Sequence, residues 1–312
     1  FNRCYSNFIF PPDFVTEFVL LGLSQNPNVQ KIEFVVFLFL YIITMGGQHT
    51  DHGDPCLQPC SAVLPMYFFL AFLSFLDSCF SSAMTPEMIA DSVCKRKTIS
   101  FEGCMMQLFA GHFLAGVEVI VLTAIAYDRY VDICKPLHYS SVMNRRLYCV
   151  LVGIVWIGGF VLSVTQVLCT FQLPFCGPNV IDYFMCDLFP LLKLTCTDTH
   201  IFGLLVVANS GSIGIIIFSL LLVSYCVIFF SLRKHSSEGG RKALSTCGSH
   251  ITIVILFFVP YIFEYARPPS KIVALFYCMV PPLFNPLIYT FRIKEVKNAM
   301  RKSIEQVSGD VS

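Results

Sequence analysis

Seven separate stretches of this chain are apolar on all sides, at roughly 34–47, 64–84, 104–127, 148–168, 201–231, 248–265 and 271–291. Most approach the ~20 residues with which an α-helix crosses a hydrocarbon layer. A spanning strand would alternate apolar and polar positions over about ten residues, and these runs do not alternate, so a barrel does not fit. The expectation is all-α, a seven-transmembrane helix bundle forming one domain over 1–312. Composition agrees, because 13% of residues are charged and mean hydropathy is +0.70, against about 25% charged in a soluble domain.

An odd number of spans leaves the termini on opposite sides, and the lysine and arginine bias orients them. Thirteen of the 21 basic residues fall on one side: Arg129, Lys135, Arg145 and Arg146, then Arg233, Lys234, Arg241 and Lys242, then five between Arg292 and Lys302. The other side holds Arg3, Lys31, Lys95, Arg96, Lys97, Lys193, Arg267 and Lys271. The richer side is assigned to the cytoplasm, which makes 1–30 an extracellular segment and 292–312 a cytoplasmic tail. No charged leader, short apolar core and small-residue cleavage site precede the first run, so the first helix is expected to target the chain. The net charge of +1 and the scattered basic residues, without aromatic interleaving, give nucleic-acid binding no support.

Ionisable groups inside the runs point to function. Asp128, Arg129 and Tyr130 close the third run, and a charged pair at the end of a span marks a working site by default. Asp77 and Glu118 lie well inside the second and third runs, where a charge costs roughly 2.5–3.5 kcal/mol on insertion scales. Such a cost calls for water, a cation or protonation. If both face the interior, two like charges sharing a small cavity raise the pKa of one or recruit a cation; the alternative is two separately hydrogen-bonded acids. Pro282, Asn285 and Pro286 interrupt the seventh run, with Tyr289 following, and each proline frees a carbonyl and lets the helix bend.

Many of the 15 cysteines lie within the runs and read as small apolar fillers. Cys104 opens the third run on the outer side, and Cys176, Cys186 and Cys196 lie in the long loop before the fifth. That compartment is oxidising, four cysteines allow three pairings, and zinc binding is the alternative. The histidines are scattered, without paired metal ligands at helical spacing, and no nucleophile elbow is present, so neither a structural metal nor an enzyme is expected. Intramembrane acids and broken helices also mark ion paths, which leaves a small transporter or channel as the alternative, although no inverted repeat is found.

Five motifs stand in order along the chain: Pro65-Met66-Tyr67-Phe68-Phe69-Leu70, Leu73-Ser74-Phe75-Leu76-Asp77, Ala126 to Tyr130, Lys242 to His250, and Pro282 to Tyr289. Together they resemble the olfactory receptor family, a branch of the rhodopsin-like G-protein-coupled receptors. The resemblance implies a multi-pass plasma-membrane receptor that takes a small volatile hydrophobic odorant and signals through a heterotrimeric G protein of the stimulatory, olfactory type, with membrane lipid as its other partner. It makes Asp128 and Arg129 the latch of the resting state, with Tyr130 beside them, and gives Asn285, Pro286 and Tyr289 a part in rearranging the core. Asp77 and Glu118 become a sodium and water pocket, sodium being the one cofactor implied. Bridges Cys104–Cys186 and Cys176–Cys196 are implied, as is an odorant cavity lined by His112, Ala115, Gly116, Phe202, Phe258, Tyr261 and Tyr265.

The chain departs from that pattern at the end of its first run, where Gln48 to Cys56 is polar. Codons compatible with Gly47 to Cys56, read one base later, give Gly-Asn and then an apolar run, which points to a local frameshift repaired before Pro65. About 14 apolar residues make only ~21 Å of helix, short of a ~30 Å hydrocarbon core. Damage at 48–64 is therefore expected to impair the first span and signalling. Three further departures are a short outer loop before Lys271, Asp132 where the family usually has alanine, and Gly240 where it usually has arginine. The last two are expected to weaken coupling. The chain also holds no Asn-X-Ser/Thr sequon, which makes retention in the endoplasmic reticulum an expectation beside surface display.

Overall fold

Hydrocarbon offers peptide groups no water to bond, so each spanning segment pairs its own N–H and C=O groups as helix. The computed structural model describes residues 15–52, 65–94, 97–175, 179–196, 211–234, 238–266 and 270–285. Among them run α1 (Pro27–His52), α2 (Pro65–Val93), α3 (Phe101–Cys134), the short α4 (Tyr139–Val142), α5 (Arg145–Phe171), the short α6 (Leu188–Leu192), α7 (Ser212–Lys234) and α8 (Glu238–Ala266). A ninth helix, α9, covers Lys271–Asn285. The seven long ones, α1, α2, α3, α5, α7, α8 and α9, form a seven-transmembrane bundle. Five of them are apolar enough over enough length to cross a membrane, and α8 and α9 contribute the shorter apolar segments His250–Phe263 and Lys271–Asn285.

Polar caps start two of the helices. Ser100 accepts the Gly103 N–H at the head of α3, and Asn144 accepts the Leu147 N–H at the head of α5. The prolines Pro86 and Pro260 lie inside α2 and α8. α3 is the axis of the bundle, touching α2, α5, α7 and α8. Its side chains are largely buried, whereas α1, α5 and α7 turn large apolar residues such as Val35, Phe39, Ile157 and Val223 outward, as a lipid-facing surface requires.

The first span corrects the expectation drawn from its composition. α1 begins at Pro27, before the apolar run at 34–47, and its apolar part is Pro27–Gly46, 20 residues with hydropathy 1.7. At 1.5 Å per residue that is about 30 Å, enough to cross. Lys31 and Glu33 concealed the earlier start, yet long charged side chains near a helix end reach back to the interface and do not break the span. The helix continues through the polar Gln48 to His52, while residues 53–64 lie outside the described residues.

A second feature went unforeseen in an all-α reading: a three-stranded sheet across the outer end. β1 (Glu17–Leu20) runs between β2 (Thr98–Ser100), antiparallel, and β3 (Val180–Ile181), parallel. Phe18 anchors it, fully buried, with its ring 6.0 Å from Phe101 and 5.7 Å from Phe175. Lys271, at the head of α9, donates to the Gly22 carbonyl at 3.0 Å and to Asp182 Oδ1 at 2.6 Å, joining the N-terminal segment, the long loop and the seventh span.

Small residues set how closely α3 and α5 approach. A methyl group on Gly159 would stand 2.6 Å from Val117 Cγ2 and 3.2 Å from the Phe113 carbonyl oxygen, while Gly116 faces the Gly159 Cα from α3. Backbone proximity of this kind is what holds membrane helices together without a hydrophobic drive. Gly159→Leu is expected to destabilise the bundle by about 1–3 kcal/mol, whereas Gly46→Leu, with nothing within 4 Å, is expected to leave it unchanged. Melting curves of the two purified proteins in one detergent check this, and equal melting temperatures would remove the packing argument.

Candidate functional site

Three polar features line up along α3. At its outer end Cys104 is joined to Cys186, with Cα atoms 5.3 Å apart, which pins the long loop against the bundle. Gln107, one turn further in, reinforces the pin: its Oε1 accepts the Cys186 N–H at 2.8 Å and its Nε2 donates to Glu87 of α2 at 3.0 Å. Cys196 is likewise disulfide-bonded, and an antiparallel bridge pairs Phe175 with Thr195 just before it. Cys176 lies outside the described residues. Sulfurs tied up as Cys104–Cys186 cannot serve as zinc thiolates, so a four-cysteine zinc site is ruled out.

Beneath the loop lies a cavity of about 260 Å³ between α2, α3, α5, α7, α8 and α9, with Met185, Cys186 and Asp187 of the loop as its outer wall. His112, Ala115, Gly116 and Tyr261, all proposed from sequence, line it. Phe258 does not: it is fully buried in an aromatic layer with Phe218, Phe257 and Tyr261, at centroid distances of 5.4, 5.3 and 6.4 Å. Phe202 and the side chain of Tyr265 lie outside the described residues. Sequence reasoning missed Met84, Gln107, Met185, Ile217, Tyr277 and Cys278 among the lining. Gln107 carried a usable signal, as an amide one turn inside a mostly apolar span.

Asp77 and Asn285, 208 positions apart, meet in the middle of the bundle, where the Asn285 amide donates to Asp77 Oδ2 at 2.8 Å. Both are fully buried. Glu118 of α3 is buried nearby, close enough for its charge and that of Asp77 to repel. Asp77 Oδ1, Glu118 Oε1, Asn285 Oδ1 and Ser74 Oγ are buried oxygens without a protein partner. Four such oxygens are the donor set a small hard cation with water takes. Pro286 and Tyr289 lie outside the described residues.

At the inner end Arg129 is held twice. Its Nη2 donates to Asp128 at 2.7 Å and its Nη1 to Asp132 at 3.2 Å. Asp128 is wholly buried and also accepts the Tyr139 hydroxyl at 2.9 Å, whereas the Asp132 side chain is 45% exposed. Burial and the Asp128 carboxylate push the Tyr139 hydroxyl above its ordinary value, so it stays a donor. Tyr130 is half-buried against the core. Across the bundle Tyr225 of α7 shares a hydrogen bond with His250 Nδ1 of α8, linking the two helices beside this end.

A bundle with a covered apolar cavity at one end of its central helix and a latched arginine at the other is a ligand-operated membrane receptor. The sequence profile described as "Olfactory receptor" matches residues 37–307. The chain is 54% identical to human "Olfactory receptor 4S2" over 92% of its length and 94% of that protein's. It is 51% identical to mouse "Olfactory receptor 4B13", covering 94% and 97%, and 52% identical to human "Olfactory receptor 4A5", covering 92% of each. The chain belongs to the olfactory receptor family. It is therefore a multi-pass plasma-membrane, G-protein-coupled receptor and not an enzyme, and the transporter or channel reading falls away.

The two carboxylates on Arg129 are unequal. An exposed pair contributes ~0–1 kcal/mol, while removing a buried partner leaves a charge uncompensated and costs several times more. Asp128→Asn is expected to raise ligand-free nucleotide exchange on a G protein by about tenfold or more, and Asp132→Asn by a few-fold at most. Exchange measured on equal amounts of reconstituted receptor decides it, and a larger effect at Asp132 would invert the assignment.

Proposed function

We propose that this chain is an odorant receptor that takes a small volatile hydrophobic molecule into the cavity beside His112, Ala115, Gly116 and Tyr261 and signals through a heterotrimeric G protein of the stimulatory, olfactory type. The observation that carries the reading is a covered, mostly apolar cavity of about 260 Å³ built on the same helix as the Arg129 latch. A cavity of this character suits a small hydrophobe oriented by few polar groups. Activation is a shift of population: the ligand favours the open arrangement only by the difference between its affinities for the two states. Breaking the Asp128 and Asp132 contacts then frees Arg129 for the G protein, while Asn285, Pro286 and Tyr289 allow the seventh span to rearrange.

Asp77 and Glu118, with Ser74 and Asn285, would hold a sodium ion and water in the resting bundle. Bound there, the ion supplies positive charge between two acids and stabilises the closed arrangement. Raising sodium at constant ionic strength is expected to raise the melting temperature of the purified receptor, and Asp77→Asn to abolish that rise. A sodium response that persists in the variant would place the ion elsewhere.

The test of function is odorant-evoked cyclic AMP in cells carrying the stimulatory G protein, scored against surface staining. Ala115→Trp, which fills the cavity, is expected to abolish the response at unchanged surface level. Although the first span is long enough to cross, Gln48 to His52 continue it with polar residues, so a variant carrying the frame-shifted apolar reading of 48–56 is expected to raise surface level several-fold. A response that survives the filled cavity would defeat the proposal, and equal surface levels would dispose of the damage argument at 48–64.

A further inference from the structure

Two of the polar side chains around the cavity are bonded to the protein itself. Gln107 uses its amide oxygen on the Cys186 N–H and its amide nitrogen on Glu87. Asp187 uses Oδ1 on the Leu188 N–H. The Tyr261 and Tyr277 hydroxyls can turn to donate or accept, so they do not discriminate between ligands.

His112 is different, because its bond fixes what it can offer. Its Nδ1 lies 3.0 Å from the carbonyl oxygen of Leu108, one turn back on α3. A carbonyl oxygen only accepts, so Nδ1 carries the proton, and the uncharged ring is left with a lone pair on Nε2. Since Nδ1 is tied to the backbone of its own helix, Nε2 is the ring nitrogen that the half-buried His112 has left for a ligand in the cavity it lines.

We infer that the cavity selects a compact alcohol or phenol, whose hydroxyl donates to His112 Nε2 while its hydrocarbon body fills the apolar space between Met84, Met185 and Ile217. The inference rests on the odorant-cavity reading and adds the ligand class to it. At a liquid-like share of ~30 Å³ per non-hydrogen atom, the cavity takes on the order of ten such atoms. Ethers and hydrocarbons of that size leave Nε2 unpaired. Aldehydes and ketones bring a lone pair to a lone pair. A carboxylate meets the charge of Asp187, and an ammonium gives up its water for one carboxylate already engaged by Leu188.

The test uses the full chain in lipid nanodiscs and two sets of equal size: octanol, octanal and heptyl methyl ether, then phenethyl alcohol, phenylacetaldehyde and benzyl methyl ether. Binding is read as ligand-dependent thermal shift and intrinsic fluorescence. In at least one set the alcohol is expected to bind about tenfold or more tightly than its partners. His112→Phe should erase that gap, and His112→Gln, which keeps an acceptor, should retain most of it and guards against a variant that merely misfolds. Partners that match the alcohols, a gap that survives His112→Phe, or no binding by either alcohol would overturn the ligand class. Loss of all binding in Ala115→Trp would leave the cavity standing in the first two cases, whereas binding that survives it would sink the cavity reading itself.

Discussion

Everything in this molecule follows from the absence of water around its middle. A polar group there either bonds to the protein or stands at a cost of several kcal/mol, so the few that are present must be paired, solvated or placed at an end. Asp77 and Glu118 mid-bundle, and Asp128 with Arg129 at the inner end of α3, each meet that demand in a different way. The buried Asp128–Arg129 pair bonds within itself, with Tyr139 supplying a second donor to Asp128, while Arg129 Nε keeps no partner. The central set leaves four oxygens open. A bundle that keeps such groups is holding arrangements it can change.

α3 joins the outer loop, the cavity and the inner arginine in one element. Its outer end is tied to the long loop by Cys104–Cys186 and by Gln107, its middle lines the cavity and contributes Glu118, and its inner end bears the arginine. The close backbone approach at Gly116 and Gly159 packs α3 tightly against α5.

The outer cover is unusual for a helical membrane protein in being partly strand. Segments of two to four residues pair where the disulfide, Phe18 and the Lys271 clasp hold them together. None of these strands has enough length to be stable alone. Lys271, at the head of α9, holds both the Gly22 carbonyl and Asp182.

The chain by itself determined the number and order of the spans, the family and the Asp128–Arg129 pair. Those depend on local composition and on neighbours in sequence, and even Asp132 is legible, three residues from Arg129 on the same helical face. It understated the first span, since Lys31 and Glu33 interrupt an apolar run without interrupting a helix. Only the tertiary structure decided that Asp77 meets Asn285 across 208 positions, that Gln107 bridges Glu87 and the Cys186 backbone, that Cys104 takes Cys186 of three possible partners, and that Phe258 packs outside the cavity wall. Periodicity tells which side of a helix is greasy, but in a bundle that is greasy all round it does not tell which residues face the centre. That choice is made by packing, through the close approach of small residues and the few hydrogen bonds that hydrocarbon forces to form.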